Sequence, residues 1–559
     1  MSAPKVLSVA AEIFPLVKTG GLADVVGALP LALAREGVGV TTLVPGYPAV
    51  MAALETPRQV HRFAHLMGGP ARLLRGRAGA LELLVIDAPH LYDRPGNPYL
   101  QAPGVEWPDN GPRFAALAKV AADIGLGLVS DYRPDVIQAH DWHAGLTPAY
   151  LHYAQKKDPR PGVPPVVLSI HNLAFQGLFP AALQARLGLP PEAMAIDGVE
   201  YWGDIGFLKA GIQFADQVTT VSPSYAAEIT TEEGGMGLGG LLKARARSLI
   251  GILNGIDAEV WNPETDPDIS ARYTAQTLES RAINKVALQA KFGLRPDARA
   301  PLFGILSRLT DQKGVDLLLG ALPVLFAEGA QLIVCGQGEP RYEAAFADAA
   351  KRYPGAMGSF LGYREEFAHL IQAGADAILA PSRFEPCGLT QLCAMRYGAI
   401  PVVSRTGGLS DTIIDANAAG IARAAATGVQ FAPATQDMLE DAIRRTCALY
   451  RDPAGWRRVQ LNAMASDSSW GASAAEYAAL FARLAARSAP PPAPAPANDV
   501  MTTGVASVEP ASLAEPRSFV AYEGNETSLP GPAPRRAANR RTPGRSKSAS
   551  PSLRRADER

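Results

Sequence analysis

One short stretch limits the possible folds more than any other. Ala377-Ile378-Leu379-Ala380 is an apolar run with no polar face, and it leads through P-S-R-F-E-P-C-G into Leu389 to Tyr397, which has helical spacing. Such a run reads as a buried parallel strand, and the order strand, turn, helix is that of an open α/β sheet. Ligands of these sheets gather at the carboxyl ends of the strands, where the next helix offers unpaired N–H groups. Glu385 sits in the turn, Pro386 stiffens it, and Gly388 lets the backbone approach a ligand closely. A carboxylate placed there accepts hydrogen bonds from a polyol such as a sugar.

The same sequence of elements recurs along the chain. Val6 to Ala10 is a strand, followed by Lys18-Thr19-Gly20-Gly21-Leu22-Ala23-Asp24 and a helix to about Glu36. Two glycines there bare the backbone toward an anion, and Lys18 adds a point charge. Asp135 to Ala139 runs into His140-Asp141-Trp142-His143-Ala144-Gly145, and Val166 to Ile170 into His171-Asn172-Leu173-Ala174-Phe175-Gln176-Gly177. The alternation restarts in the second half: Pro301 to Leu306 leads to Ser307-Arg308-Leu309-Thr310-Asp311-Gln312-Lys313-Gly314. A planar guanidinium and an ammonium five residues apart suit two phosphates at a helix amino terminus. A second glycine pair, Gly407-Gly408, is expected to face the same ligand. Phe114, Leu117, Ala118, Ala121 and Ile124 predict a surface helix over 112–128 with one buried face. Five glycines in Gly234 to Gly240 predict a mobile loop near the cleft.

Read together and in order, K-T-G-G-L-A-D, H-D-W-H-A, H-N-L-A-F-Q-G, Asn254-Gly255-Ile256-Asp257, S-R-L-T-D-Q-K-G and E-P-C-G-L-T-Q-L resemble bacterial glycogen synthases and plant starch synthases. The resemblance spans about Lys5 to Tyr477. It implies a GT-B fold: α/β, with two Rossmann-like domains whose parallel sheets face each other across a cleft. Residues 1–255 would form the acceptor-side domain and 256–465 the nucleotide-sugar domain. A helix over 466–487 would cross back, and 488–559 would be a disordered tail. The implied reaction is retaining glucosyl transfer from ADP-glucose to the non-reducing 4-hydroxyl of glycogen or another α-1,4-glucan. Carried over residue by residue, Arg308 and Lys313 clamp the diphosphate, His171 and Asp141 hold the glucose, and Glu385 binds its hydroxyls. Lys18, Gly20 and Gly21 contact the donor, Asp24, Asn254, Cys387, Gly388, Leu389 and Thr390 complete its pocket, and Tyr363 stacks on adenine. A covalent role for Glu385 stays open, as do two other readings: a different GT-B enzyme, such as a glucan phosphorylase or a sucrose-type synthase, and a glucan-binding scaffold without turnover.

Composition excludes several classes. The 559 residues suffice for two domains, and a formal net charge of -1 points away from a nucleic-acid partner. Basic residues concentrate only in 534–559, beyond a Pro/Ala-rich stretch that begins near Ser488. No apolar run is long enough to span a membrane, and Glu12 breaks the Val6–Ala11 run that a signal peptide would need. Four cysteines without C-x-x-C spacing fit a reducing cytoplasm, and Cys387 is read as a packed thiol rather than a reactive one. Neither His140/His143 nor Asp266-Pro267-Asp268, which reads as a turn, supplies a full metal-ligand set. No metal and no cofactor are expected.

Overall fold

In a computed structural model of the chain, two parallel sheets are built where the apolar runs lie. The structure describes residues 3–102, 104–362 and 364–488, which belong to one compact unit. Tyr363 and the tail from 489 on, including its expected disorder, lie outside the described residues.

The first sheet has nine strands, in the order Leu249–Gly251, Gln217–Thr220, Val166–Ile170, Val136–His140, Lys5–Val9, Gly39–Pro45, Leu81–Asp87, Gly69–Ala78, Glu55–Leu66. Seven of them are parallel, and the last two form an antiparallel edge. Glu55–Leu66 is mostly exposed and carries Pro57, and its register against Gly69–Ala78 shifts three times. Those irregularities suit an edge that must not recruit another strand.

The second sheet has six strands, all parallel, in the order Met357–Leu361, Gln331–Gly336, Leu302–Leu306, Ala377–Ala380, Ile400–Ser404, Val429–Phe431. Numbered along the chain this is 3-2-1-4-5-6, the Rossmann order. The order reverses between Leu302–Leu306 and Ala377–Ala380, so the loops after these two strands flank a crevice. In the first sheet the reversal falls between Lys5–Val9 and Val136–His140. The loops that sequence reading singled out are the loops at these two reversals, together with the one after Val166–Ile170. The GT-B architecture expected from the resemblance is the one observed.

The chain passes between the halves twice, and the two passes touch. Ile256 N–H donates to Ser468 O at 2.8 Å, and a Cβ on Gly255 would lie 2.5 Å from the Ser469 backbone. Beyond that crossing, helix Gly471–Ser488 packs on helix Gly21–Arg35, burying Tyr477, Leu480, Phe481 and Leu484 with Val25, Leu29 and Leu33. Burying side chains of this size stabilises by about 1.5–3 kcal/mol each, so this helix is part of the first half's core.

One expectation fails here. Helix Asn110–Gly125 is buried on nearly every side rather than on one face, because helix Thr147–Lys157 and the short helix Asp141–Ala144 cover its outer surface. Even Arg113 is 1% exposed, and it donates to Leu91 O, Pro98 O and Asn110 Oδ1. In the Gly234–Gly240 segment, Gly234, Gly235 and Gly239 permit close backbone packing: a Cβ on Gly235 would sit 2.3 Å from Gly239 Cα, and one on Gly239 2.2 Å from Thr231 O.

Candidate active site

Between the two sheets lies a cleft of ≈ 2090 Å³. Among the described residues, Lys18, Gly20, Gly21, Asp24, Asp141, His171, Asn254, Arg308, Lys313, Glu385 and Cys387 to Thr390 all line it.

The wall from the second half is built on two loops zipped together. Arg383 N–H donates to Gln312 O at 2.9 Å, and Gln312 Nε2 to Phe384 O at 3.3 Å. Gly314 has φ +64, and a Cβ there would meet Pro381 O at 2.0 Å, so only glycine lets the loops close. The zipper brings Lys313 Nζ to Glu385 Oε2 at 2.5 Å, and Ser382 Oγ donates to the same oxygen at 2.8 Å. Glu385 is buried and faces the cleft beside Lys313. Arg308 stays exposed, with its guanidinium over the Phe175 ring of the opposite half at 5.7 Å.

Gly407-Gly408 does not line the cleft. The Gly408 amide donates to Glu385 O at 3.1 Å and Gly407 N–H to Glu228 Oε1 at 2.8 Å. A Cβ on Gly407, at φ +43, would stand 1.9 Å from Glu385 O. The pair holds the acidic turn from behind instead of facing a nucleotide. Gly336 and Gly338 line the cleft and also permit close packing, since a Cβ on either would fall within 2.3 Å of the Ser307 or Leu309 carbonyl.

From the first half come the histidines. Asp141, at φ +53, accepts the His171 amide at 2.7 Å. Burial raises its carboxyl to about 7, against the pull of the His171 and Asn172 amides. His171 Nε2 meets His140 Nδ1 at 2.9 Å, and His140 Nε2 meets Ser8 Oγ at 3.1 Å. Burial lowers His171 to about 4 and holds His140 well below the usual range, so both rings are neutral near pH 7. His143 is lowered by burial to about 3 and packs among Tyr99, Phe114 and Trp142. The two histidines of H-D-W-H thus serve different neighbours.

Around the first glycine pair the expected cradle is altered. Lys18 Nζ donates to Asp24 Oδ1 at 2.8 Å and lies 3.7 Å from Glu365 Oε2 of the second half, spanning the cleft mouth. Burial raises the Asp24 carboxyl despite Lys18. The Gly20 amide is turned to Glu12 Oε2 at 3.3 Å, which leaves Gly21 and the first turn of the helix on the cleft side. Glu12 also accepts the Thr19 amide, Thr19 Oγ1 and the Tyr99 hydroxyl. Sequence reading missed this carboxylate and took it only as a break in an apolar run. Its place at the end of a buried strand, just before a glycine loop, was the available signal.

Asn254, Cys387, Gly388, Leu389 and Thr390 line the cleft as well. Asn254 Oδ1 is buried without a hydrogen-bond partner in the cleft wall, an acceptor suited to a ligand donor. Gly388, at φ +75, would clash with Gln391 Oε1 if it carried a Cβ, and Leu389 caps helix Thr390–Arg396. Burial pushes the Cys387 thiol up to about 12, so this sulfur is packing and no nucleophile.

Among the described residues, one cluster has metal-ligand composition: Asp266, Asp268 and His369, with ligand atoms within 4.8 Å of one another. Two of its side chains, Asp266 and His369, are already paired with each other. Asp266 accepts from the Asp268 amide at 2.8 Å and the Tyr397 hydroxyl at 2.5 Å, and pairs with His369 Nδ1 at 2.7 Å. The turn expected at Asp266–Asp268 is present. His369 stacks flat on Trp261 at 4.0 Å, and Trp261 lines the cleft.

Two Rossmann-like halves facing across a cleft, one with a lysine, an arginine and a carboxylate at its strand reversal and the other with neutral histidines, define a glycosyltransferase. Residues 5–244 match the starch synthase catalytic domain and 289–457 the glycosyl transferases group 1 family. A glycogen synthase of Rhodopseudomonas palustris is 59% identical over 480 residues, 86% of this chain and 98% of the relative. One of Acidiphilium cryptum is 58% identical over 476 residues, with 85% and 98% covered. The catalytic domain of starch synthase IV from Arabidopsis thaliana, bound to ADP and acarbose, superimposes with a TM-score of 0.78 at 32% identity, covering 87% of this chain and all of that one. The chain belongs to the glycogen synthase family and is a glucosyltransferase.

Proposed function

We propose that the chain transfers glucose from ADP-glucose to the non-reducing 4-hydroxyl of an α-1,4-glucan, with retention at the anomeric carbon. The observation that carries this reading is the Lys313–Glu385 contact at the strand reversal, on a cleft whose far wall is the neutral His171. A departing diphosphate needs fixed positive charge aimed at it, and Lys313, Arg308 and the first turn after Gly20 supply that without a proton donor. A neutral imidazole suits the hydroxyls of a glucose and adds no charge beside the cationic centre that develops. Glu385, held by Ser382 and Lys313, accepts from sugar hydroxyls, and the leaving phosphate takes the proton of the attacking 4-hydroxyl. The ADP in the starch synthase IV structure supports the choice of donor. No metal or cofactor has a step in this scheme. Four free, buried cysteines accord with a cytoplasmic setting.

Incorporation of labelled glucose into glycogen from ADP-glucose and from UDP-glucose, without added metal, tests the reading. Strong incorporation from ADP-glucose is expected. Label from UDP-glucose alone would overturn the donor, and glycogen binding without incorporation from either would overturn the reaction.

A further inference from the structure

Trp202 is 85% exposed at the tip of the hairpin that joins Glu200–Tyr201 to Asp204–Gly206. Tyr201 pairs with Asp204, so Trp202 and Gly203 form a two-residue turn, with φ +54 and +86. A turn with both φ values positive favours asparagine or aspartate before the glycine, and a bulky side chain there is strained. The position thus spends conformational energy to hold a large aromatic in water, where it gains no burial.

The mount is rigid. Gly203 N–H donates to Glu200 Oε1 at 2.7 Å, and Lys209 Nζ ties down the preceding loop through Ile196 O and Gly198 O at 2.5 and 2.6 Å. The mount is also continuous with the cleft. Asp204–Gly206 pairs with Leu178–Phe179, and both of those residues line the cleft wall. By strand spacing and rise, the tip stands on the order of 10 Å from those two residues, and Trp202 is not among the residues that line the cleft.

We propose that Trp202 is a surface binding site for the glucan, outside the catalytic cleft, where the indole face stacks on a sugar ring of a chain whose end lies at His171. This rests on the glucan being the acceptor. An indole presents a flat apolar face that matches the C–H face of a pyranose, and Glu200 beside it offers carboxylate oxygens to hydroxyls. With Asp197 also exposed on the preceding loop, the surroundings are acidic, which favours a neutral polyol over nucleic acid or an anionic lipid surface. The site would keep a long branched acceptor on the enzyme between transfers, and a short acceptor would not reach it.

Trp202→Asn tests this, because asparagine suits the turn and the variant folds at least as well as the parent. Electrophoresis through gels containing glycogen should show weaker retention of the variant, with the dissociation constant raised about fivefold or more. The KM for glycogen should rise with it, while kcat and KM with maltotriose stay unchanged. Quenching of tryptophan fluorescence by maltoheptaose should fall in the same variant. Equal retention of the two proteins, no retention of either, or an equal loss of rate on glycogen and maltotriose would overturn the proposal. Absence of transfer from ADP-glucose, with Trp202-dependent retention intact, would instead overturn the donor reading and leave this site standing.

Discussion

Lys313 and Glu385 lie 2.5 Å apart, and the pair is the most informative contact in the cleft. Both are largely withdrawn from solvent, so neither is a surface ion pair of negligible worth. In the proposed reaction Lys313 is needed most when the diphosphate leaves, and Glu385 both holds the ammonium and meets the sugar. Lys313→Ala and Glu385→Ala should each lower kcat about a hundredfold or more, the scale of losing one transition-state contact. Initial rates at saturating ADP-glucose and glycogen, on variants with parental melting temperatures, check this, and near-parental turnover would remove both from the mechanism. These two residues were legible in the sequence through the strings around them, S-R-L-T-D-Q-K-G and E-P-C-G-L-T-Q-L, since a lone glutamate before a helix also suits its amino terminus and a lone lysine is commonly solvated. Asp141 and His171 were legible as positions, whereas their environments were not. Burial that raises one carboxyl to about 7 and lowers one imidazole to about 4 is a property of the packed halves.

The loop Glu12–Gly21 shows what pattern reading loses. K-T-G-G-L-A-D reads as an anion cradle, yet its shape is set by Glu12, which accepts two amides and two hydroxyls from this loop and from Tyr99. A lone carboxylate after a strand has no spacing signature, so only the fold shows that four donors converge on it. The edge hairpin Glu55–Ala78 was missed for a related reason: an exposed edge strand with Pro57 and shifted register shows no clean alternation. Removing the Glu12 side chain leaves Thr19, Gly20 and Tyr99 donors without their acceptor, at about 1–3 kcal/mol for a buried group left unpaired. Glu12→Ala should therefore raise the KM for ADP-glucose about tenfold and lower the melting temperature, while the KM for maltotriose changes little. Steady-state kinetics with each substrate varied in turn separate these effects. Equal changes for donor and acceptor would mean that Glu12 supports the whole half rather than the loop.

At the scale of the molecule, the two halves are joined by paired crossings at Ile256 and Ser468, and they meet again where helix Pro223–Glu228 packs on helix Gly407–Thr412. Ser222 Oγ donates to Pro386 O at 2.7 Å, and the Ser224 amide and hydroxyl donate to Asp411. These contacts bind the first half to the backbone of the acidic turn itself, so relative movement of the halves is coupled to the position of Glu385. The final helix completes the arrangement, because Gly471–Ser488 starts from the second crossing and supplies one side of the first half's core. Two truncations separate its part from that of the residues beyond it. Ending the chain after Ser488 retains every residue of the cleft and of that core, and should leave turnover within about twofold. Ending it after Asp467 exposes Val25, Leu29 and Leu33, and at about 1.5–3 kcal/mol for each buried side chain lost, the deficit rivals the whole stability of a domain. The shorter product should aggregate or melt far below the longer one, by differential scanning fluorimetry of the soluble fraction. A folded, active product ending at Asp467 would show that the returning helix is an accessory, and that the first half closes its core without it.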